Sequence, residues 1–312
     1  MASKTGKIRA LLNLLDDPDT KIYDSIKKEL ESYGIEIVSI LENEWEINPI
    51  QFVQKRIENI IHNIQLNELK KQLTNWVTTG NQNLLNGYIL FSKYYYPEIN
   101  ELEIRSKVEQ LKDDIWKELN DSLTPLQKVK ILNHFFYDIH KFNSNSINLH
   151  LTQNLFINNL LDNKRGNTWS LGILYNIIAE NLNIPIKGIS LPMQYILAYL
   201  NYNQEVPIVE KKTVLFYINP LHKGSVFTKK EIIEFLIKAK LQEKNEYFEP
   251  SSNISTIKTL FEYLKNSLNE INNESEEEEN DTSIYNNISK NIELEKKIEE
   301  IDALINILDQ YN

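Results

Sequence analysis

The chain has 312 residues, a length that favours about two domains, and is 41% hydrophobic and 25% charged, which is enough apolar material for a real core. Its formal net charge is −10, and an acidic surface repels phosphate backbones, so nucleic acid is excluded as the primary partner. There is no cysteine, which excludes disulfides, thiolate metal sites and a cysteine nucleophile together.

The N-terminal stretch Met1–Asp17 acquires acids early and has no long apolar run, so it does not read as a signal peptide. No segment approaches the ~18 uninterrupted apolar residues of a membrane span. The expected location is the cytoplasm, with no membrane partner. Leu11, Leu12, Leu14 and Leu15 form an apolar turn closed by Asp16-Asp17-Pro18-Asp19, a stop-and-restart signal. Ile22, Ile26, Leu30 and Tyr33 recur at helical spacing, and Gly34 ends that helix. After Pro49 a long helix is expected, with Phe52, Arg56, Ile60 and Ile64 on one stripe that continues through Leu69 and Leu73 to Trp76. Another helix runs from Leu84 to Tyr95, stopped by Pro97. A further one from Glu101 to Leu119 carries Ile104, Val108, Leu111, Ile115 and Trp116.

The middle of the chain changes character. Thr124-Pro125 caps a helix through Phe136, and Gly166 precedes an apolar helix from Trp169 to Asn181, with Leu171, Leu174, Tyr175 and Ile178 as core. Three short β-like runs follow, Ile184–Ile189, Tyr195–Leu200 and Thr213–Ile218. A helix followed by antiparallel strands is an α+β pattern. The C-terminal part is helical again, over Ile257–Leu268. The acidic run Glu274–Asp281 reads as a solvated linker, and a short heptad-like seam of Leu294, Ile298, Ile301, Ile305 and Leu308 is expected to pack on the preceding helix.

Familiar catalytic signatures are missing. There is no Gly-rich phosphate loop, no His-Glu-x-x-His pair and no calcium loop, and the histidines at 62, 134, 140, 150 and 222 show no ligand spacing. No metal and no cofactor is expected. Arg165-Gly-Asn-Thr-Trp-Ser-Leu-Gly-Ile-Leu-Tyr175 is more specific, because it resembles the start of the catalytic helix in transglutaminase-like and papain-like cysteine enzymes. In those folds the nucleophile sits in the first helical turn, where the positive end of the macrodipole lowers a thiol's pKa. The following strands carry a histidine base and an aspartate that orients it.

Five stretches extend the likeness. They are Leu14-Leu-Asp-Asp-Pro-Asp19; Arg56-Ile-Glu-Asn-Ile-Ile-His-Asn-Ile64 with Trp76; and Gly87-Tyr-Ile-Leu through Lys93-Tyr-Tyr-Tyr-Pro97. The fourth runs from Asn133-His-Phe-Phe-Tyr137 past Asn154 to Leu160-Leu-Asp-Asn-Lys-Arg-Gly166. The last joins Gly188-Ile-Ser-Leu-Pro-Met-Gln-Tyr195 to Phe216-Tyr-Ile-Asn-Pro-Leu-His-Lys-Gly224. In order and spacing they resemble the bacterial transglutaminase-like proteins known as invasion-regulator homologues, whose core is usually followed by tetratricopeptide-like helices.

Against that resemblance the triad positions are changed. Thr168 stands where an active transglutaminase has its cysteine, Gln194 where the family has histidine, and Asn219 where it has aspartate. Glutamine exchanges no proton near neutral pH, and a threonine without a base is no nucleophile. No catalytic residue is therefore assigned. The resemblance implies a pseudoenzyme that binds a protein or peptide in a groove formed by Asn154, Arg165, Thr168, Trp169, Ser170, Gln194, Tyr195 and Asn219. A second reading of the same positions has Gln194 and Asn219 bonded only to each other and to Thr168. Two alternatives are a hydrolase or acyl transferase using a hydroxyl such as Ser170, paired with His222, and a structural subunit acting through its helical ends.

The expected architecture is mostly helical α+β: a helical bundle over residues 1–122, a transglutaminase-like core with a small antiparallel sheet over 123–250, and a C-terminal helical pair over 251–312 with an acidic linker at 272–283.

Overall fold

A computed structural model describes residues 2–80, 82–144, 152–192, 194–201, 213–277 and 284–311. The chain is a mostly helical α+β protein with two compact units, Met1–Asn75 and Trp76–Asn312.

The first unit holds α1 (Ala2–Leu12), α2 (Thr20–Ser32), α3 (Val38–Ile47) and most of α4 (Gln51–Thr78). Asp19 caps α2 by accepting from the Lys21 N–H, and Gly34, at φ +67°, turns the chain after it into a short 3-10 segment. The core of this unit joins Ile8, Leu12, Leu15, Ile26, Leu30, Leu41, Val53, Ile57, Ile60 and Ile64. Arg56 is buried as expected of the stripe, but for a polar reason. Its guanidinium donates to the Leu15 and Asp17 carbonyls and stacks against the rings of Tyr23 and Phe52, joining the first two stretches of the family likeness. Phe52, Leu14 and Ile22 are exposed, so the buried stripe of α4 runs through Val53 and Ile57 instead of Phe52.

The second unit begins with α5 (Leu84–Tyr95), capped by Asn83, and α6 (Glu101–Trp116), capped by Asn100. Ile104, Val108, Leu111 and Ile115 are buried, whereas Trp116 is 66% exposed because the helix ends there. Helices α5 and α6 pack on the helices described next, within the second unit. A capping box of Thr124 and Gln127 starts α7 (Pro125–Asn133), which continues as a π-helical segment His134–Ile139. The two-residue strands β1 (Asn143–Ser144) and β2 (Arg165–Gly166) pair in parallel on either side of α8 (Ile157–Asn163).

The apolar segment after Gly166 is α9 (Thr168–Asn181), buried along nearly its whole length. It packs on a sheet of β3 (Ile186–Leu191), β4 (Gln194–Asn201), β5 (Thr213–Asn219) and β6 (Ser225–Phe227), antiparallel in that spatial order. The opposite face of the sheet contributes Ile196, Ala198, Leu200 and Tyr217 to a core with Ile232 and Leu236 of α10 (Lys229–Lys238). The helices α11 (Asn253–Glu277) and α12 (Ile284–Asp309) pack against each other, with Ile301, Leu304 and Leu308 fully buried and Ile305 only half-buried. Helix α11 runs through Glu277 into the stretch expected as a linker; residues 278–283 and His150 lie outside the described residues. Among the described residues no helix is long and apolar enough to cross a membrane.

Candidate functional site

The start of α9 is fixed by its own sequence. Asn167 caps it, its side-chain oxygen accepting from the Trp169 and Ser170 N–H groups, while Ser170 Oγ accepts from the Asn167 N–H in return. Gly166 is required here, because a Cβ would lie 2.4 Å from Ser170 Oγ. Ser170 is thus a fully buried capping residue, while His222 is exposed in the turn after β5.

Thr168 occupies the first helical position, half-buried. Its hydroxyl donates to the Tyr195 carbonyl at 2.8 Å and accepts from the Tyr195 N–H at 3.3 Å. The strand register accounts for this. Leu197 pairs with Ile218, so Tyr195 would fall opposite Pro220, which has no N–H and has already turned away from the sheet. Thr168 takes the place of the missing strand partner.

Beside it the Trp169 and Tyr195 rings lie 5.2 Å apart, and Trp169 is 2% exposed. Both side chains are core, so neither presents an open wall to a ligand. Tyr195 is admitted by two glycines: a Cβ on Gly172 would lie 2.5 Å from its ring, and one on Gly188 would lie 1.6 Å from its hydroxyl. Burial pushes the Tyr195 phenol up to about 12, partly offset by bonding to Asn176 and Thr256, which leaves it neither acid nor base near neutrality.

Asn219 caps the turn Pro220–His222, its side chain accepting from the Leu221 and His222 N–H groups. That turn is clamped from below. Tyr137 donates to the Pro220 carbonyl, and Asn133 donates to the Gly224 carbonyl while accepting from Tyr175. Gly224 sits at φ +67° with no space for a Cβ against Asn133. Gln194 is the half-buried first residue of β4, paired with Leu191. Strand alternation puts it on the side of Ile196, towards α10.

The start of α9, the start of β4 and the end of β5 therefore come to one place, with Pro220 close to Gly172. Among the described residues no hydrogen bond joins the side chains of Thr168, Gln194 and Asn219; Thr168 and Asn219 bond backbone instead. Arg165 is exposed on β2, and Asn154 is buried in the 3-10 turn Thr152–Leu155. Two buried donors at the start of α9, Asn167 Nδ2 and Trp169 Nε1, have no partner. A cavity of about 740 Å³ opens at the other end of α9, beside Glu180 and Lys187.

A family model described as the transglutaminase-like superfamily matches residues 102–261, slightly more than half of the chain. The chain belongs to the transglutaminase-like superfamily. It is 30% identical over 98 residues to a UPF0162 protein of Pasteurella multocida, covering 31% of this chain and 37% of that protein. It is 28% identical over 172 residues to UPF0162 proteins from two Buchnera aphidicola subspecies, those of Schizaphis graminum and Acyrthosiphon pisum, covering 54% of this chain and 58% of each. The chain thus spans less than three fifths of these curated relatives. No solved structure matches it. The superfamily match covers α6 through part of α11 and includes Thr168, Gln194 and Asn219.

Proposed function

We propose that this chain is a catalytically inactive member of the superfamily, akin to the invasion-regulator homologues, that works in the cytoplasm by binding a protein or peptide. The observation that carries this reading is the Thr168 hydroxyl, whose one proton is given to the Tyr195 carbonyl 2.8 Å away. A nucleophile in this position would need that proton taken by a base. The side chains at the other two triad positions, Gln194 and Asn219, are amides, which cannot act as bases near neutrality. Ser170 supports the same reading, since its oxygen already accepts the Asn167 N–H and is shut off from solvent.

The binding surface is the partly exposed remainder of the site, formed by Arg165, Thr168, Gln194 and Asn219 around a fixed aromatic interior. One experiment with two arms tests the whole reading. A hydroxyl-directed fluorophosphonate probe should leave the native protein unlabelled, and peptides selected on it by display should bind Gln194→Ala or Arg165→Ala more weakly. Labelling that disappears in Ser170→Ala would overturn the inactive reading. Selected peptides indifferent to both substitutions would overturn the groove.

A further inference from the structure

A second cavity lies on a different face of the second unit, between the α5–α6 connection and α8. Its volume is about 440 Å³, within the range of sites that accept a small ligand or one side chain with its flanking backbone. Tyr95, Tyr96 and Pro97, from the segment that marks the family likeness, supply one wall.

That wall is aromatic and rigid. Tyr95 is 44% exposed, yet its ring is held 5.1 Å from the buried Phe156 ring and 5.5 Å from Tyr96. Tyr96 is fixed in turn by an edge contact with Phe156 and by the Asn159 amide, which donates to its hydroxyl. An accessible aromatic that is already immobilised costs little conformational entropy when a ligand covers it.

The rest of the lining is electronegative. Glu98, Glu103 and Asp162 line it with carboxylates, and the Lys107 ammonium bridges two of them, Glu103 and Asp162, at 2.6 Å each. The Asn158 side chain gives an N–H to Asn159, while its own carbonyl oxygen is buried without a partner. The unmet requirement is for a hydrogen-bond donor. A ligand that stacks on tyrosine, carries positive charge and brings several N–H groups meets all three conditions, and the planar guanidinium does so best.

We infer that this cavity takes an arginine side chain from a protein or peptide partner. The inference rests on the reading that the chain acts by binding a partner, and it names that partner's chemistry. The acidic charge of the whole chain, −10, would draw a basic partner towards it.

The test is a titration of the full-length protein with N-acetyl-arginine amide, followed by backbone amide NMR shifts, with the citrulline analogue as neutral isostere and the lysine analogue as a non-planar cation. Saturable shifts are expected within 95–107 and 158–162. Binding should be the tightest for arginine and should weaken about two- to fivefold in Tyr95→Ala, a loss in keeping with one partly exposed cation–π contact. Tyr95 is exposed enough for its removal to leave the fold intact, and Asp162→Asn provides an independent surface substitution that should also weaken binding. Absence of saturable shifts, equal binding of citrulline or lysine, or indifference to Tyr95→Ala would each overturn the proposal. Failure here leaves the probe-labelling arm untouched, so it is distinguishable from failure of the inactive reading.

Discussion

At the level of single residues, Tyr195 organises the interior beside Thr168. Its ring occupies the space that Gly172 on α9 and Gly188 on β3 leave open, and the ring in turn backs Trp169. Gly188 has an ordinary strand conformation, so its role is space and not backbone freedom. Gly188→Ala should therefore destabilise the protein by about 1–3 kcal/mol, the usual range for overpacking a filled core. Most of that cost should vanish in a Tyr195→Ala background. A double-mutant cycle in urea gives the coupling directly; additive losses would show that the clash is relieved elsewhere. None of this was open to sequence reasoning, because two glycines in different elements carry no linear sign that one ring separates them. The burial of Trp169 was equally hidden: an aromatic in the first turn of a helix reads the same whether it lines a groove or fills a core.

Helices and strands were easier to read than their termini suggest. The apolar run beginning at Leu171 and the alternation after Gln194 carry the helix–strand–strand order, since a helix buried all round and a half-buried strand each impose their own period. The missed elements are short or start without a strong cap. Helix α8 spans seven residues, and β6 only three. Helix α3 enters from a 3-10 turn with no side-chain cap. Helix α10 did offer a signal, the Thr228-Lys-Lys-Glu231 capping box, which the structure forms. In α12 a strict four-three stepping misplaced one core position, because Leu304 is fully buried and Ile305 only half-buried. Leu304→Ala should cost about 2–5 kcal/mol in chemical denaturation, and Ile305→Ala clearly less. Equal losses would mean that the pair packs on a wider face than these burials indicate.

For the molecule as a whole, an acidic chain of pI near 5.2 is expected to tolerate neutral pH well, and one histidine modulates that tolerance. His140 lies 3.3 Å from an Asp114 oxygen, without the alignment of a hydrogen bond, and near Lys164. Burial holds its pKa below the ordinary 6.5 and Lys164 adds to this, while Asp114 opposes both. The unfolded chain then binds this proton more readily than the folded one. Stability attributable to the group is therefore complete above about pH 6.5 and declines as pH falls from there towards the lowered folded value. Thermal melts between pH 5 and 7 should show this decline, and His140→Asn should flatten it. A profile unchanged by the substitution would overturn this assignment, because a lowered carboxyl such as Glu101 alters stability only below its ordinary value of 4.5. Partly buried, this carboxyl is nonetheless held below its usual range by Lys93 and Arg105.

The bond between Thr168 and the backbone of Tyr195 also bears on the history of the site. On the proposed inactive reading, this side chain stands in for a missing strand partner and serves architecture where an active relative would have its nucleophile. Return to cysteine would exchange a good donor and acceptor for a weak one at both ends of that stitch. Such a substitution would loosen the join between helix and sheet. On that reading the threonine is kept by what it does for the fold: a side chain of higher reactivity at this position would come at the cost of the stitch between helix and sheet.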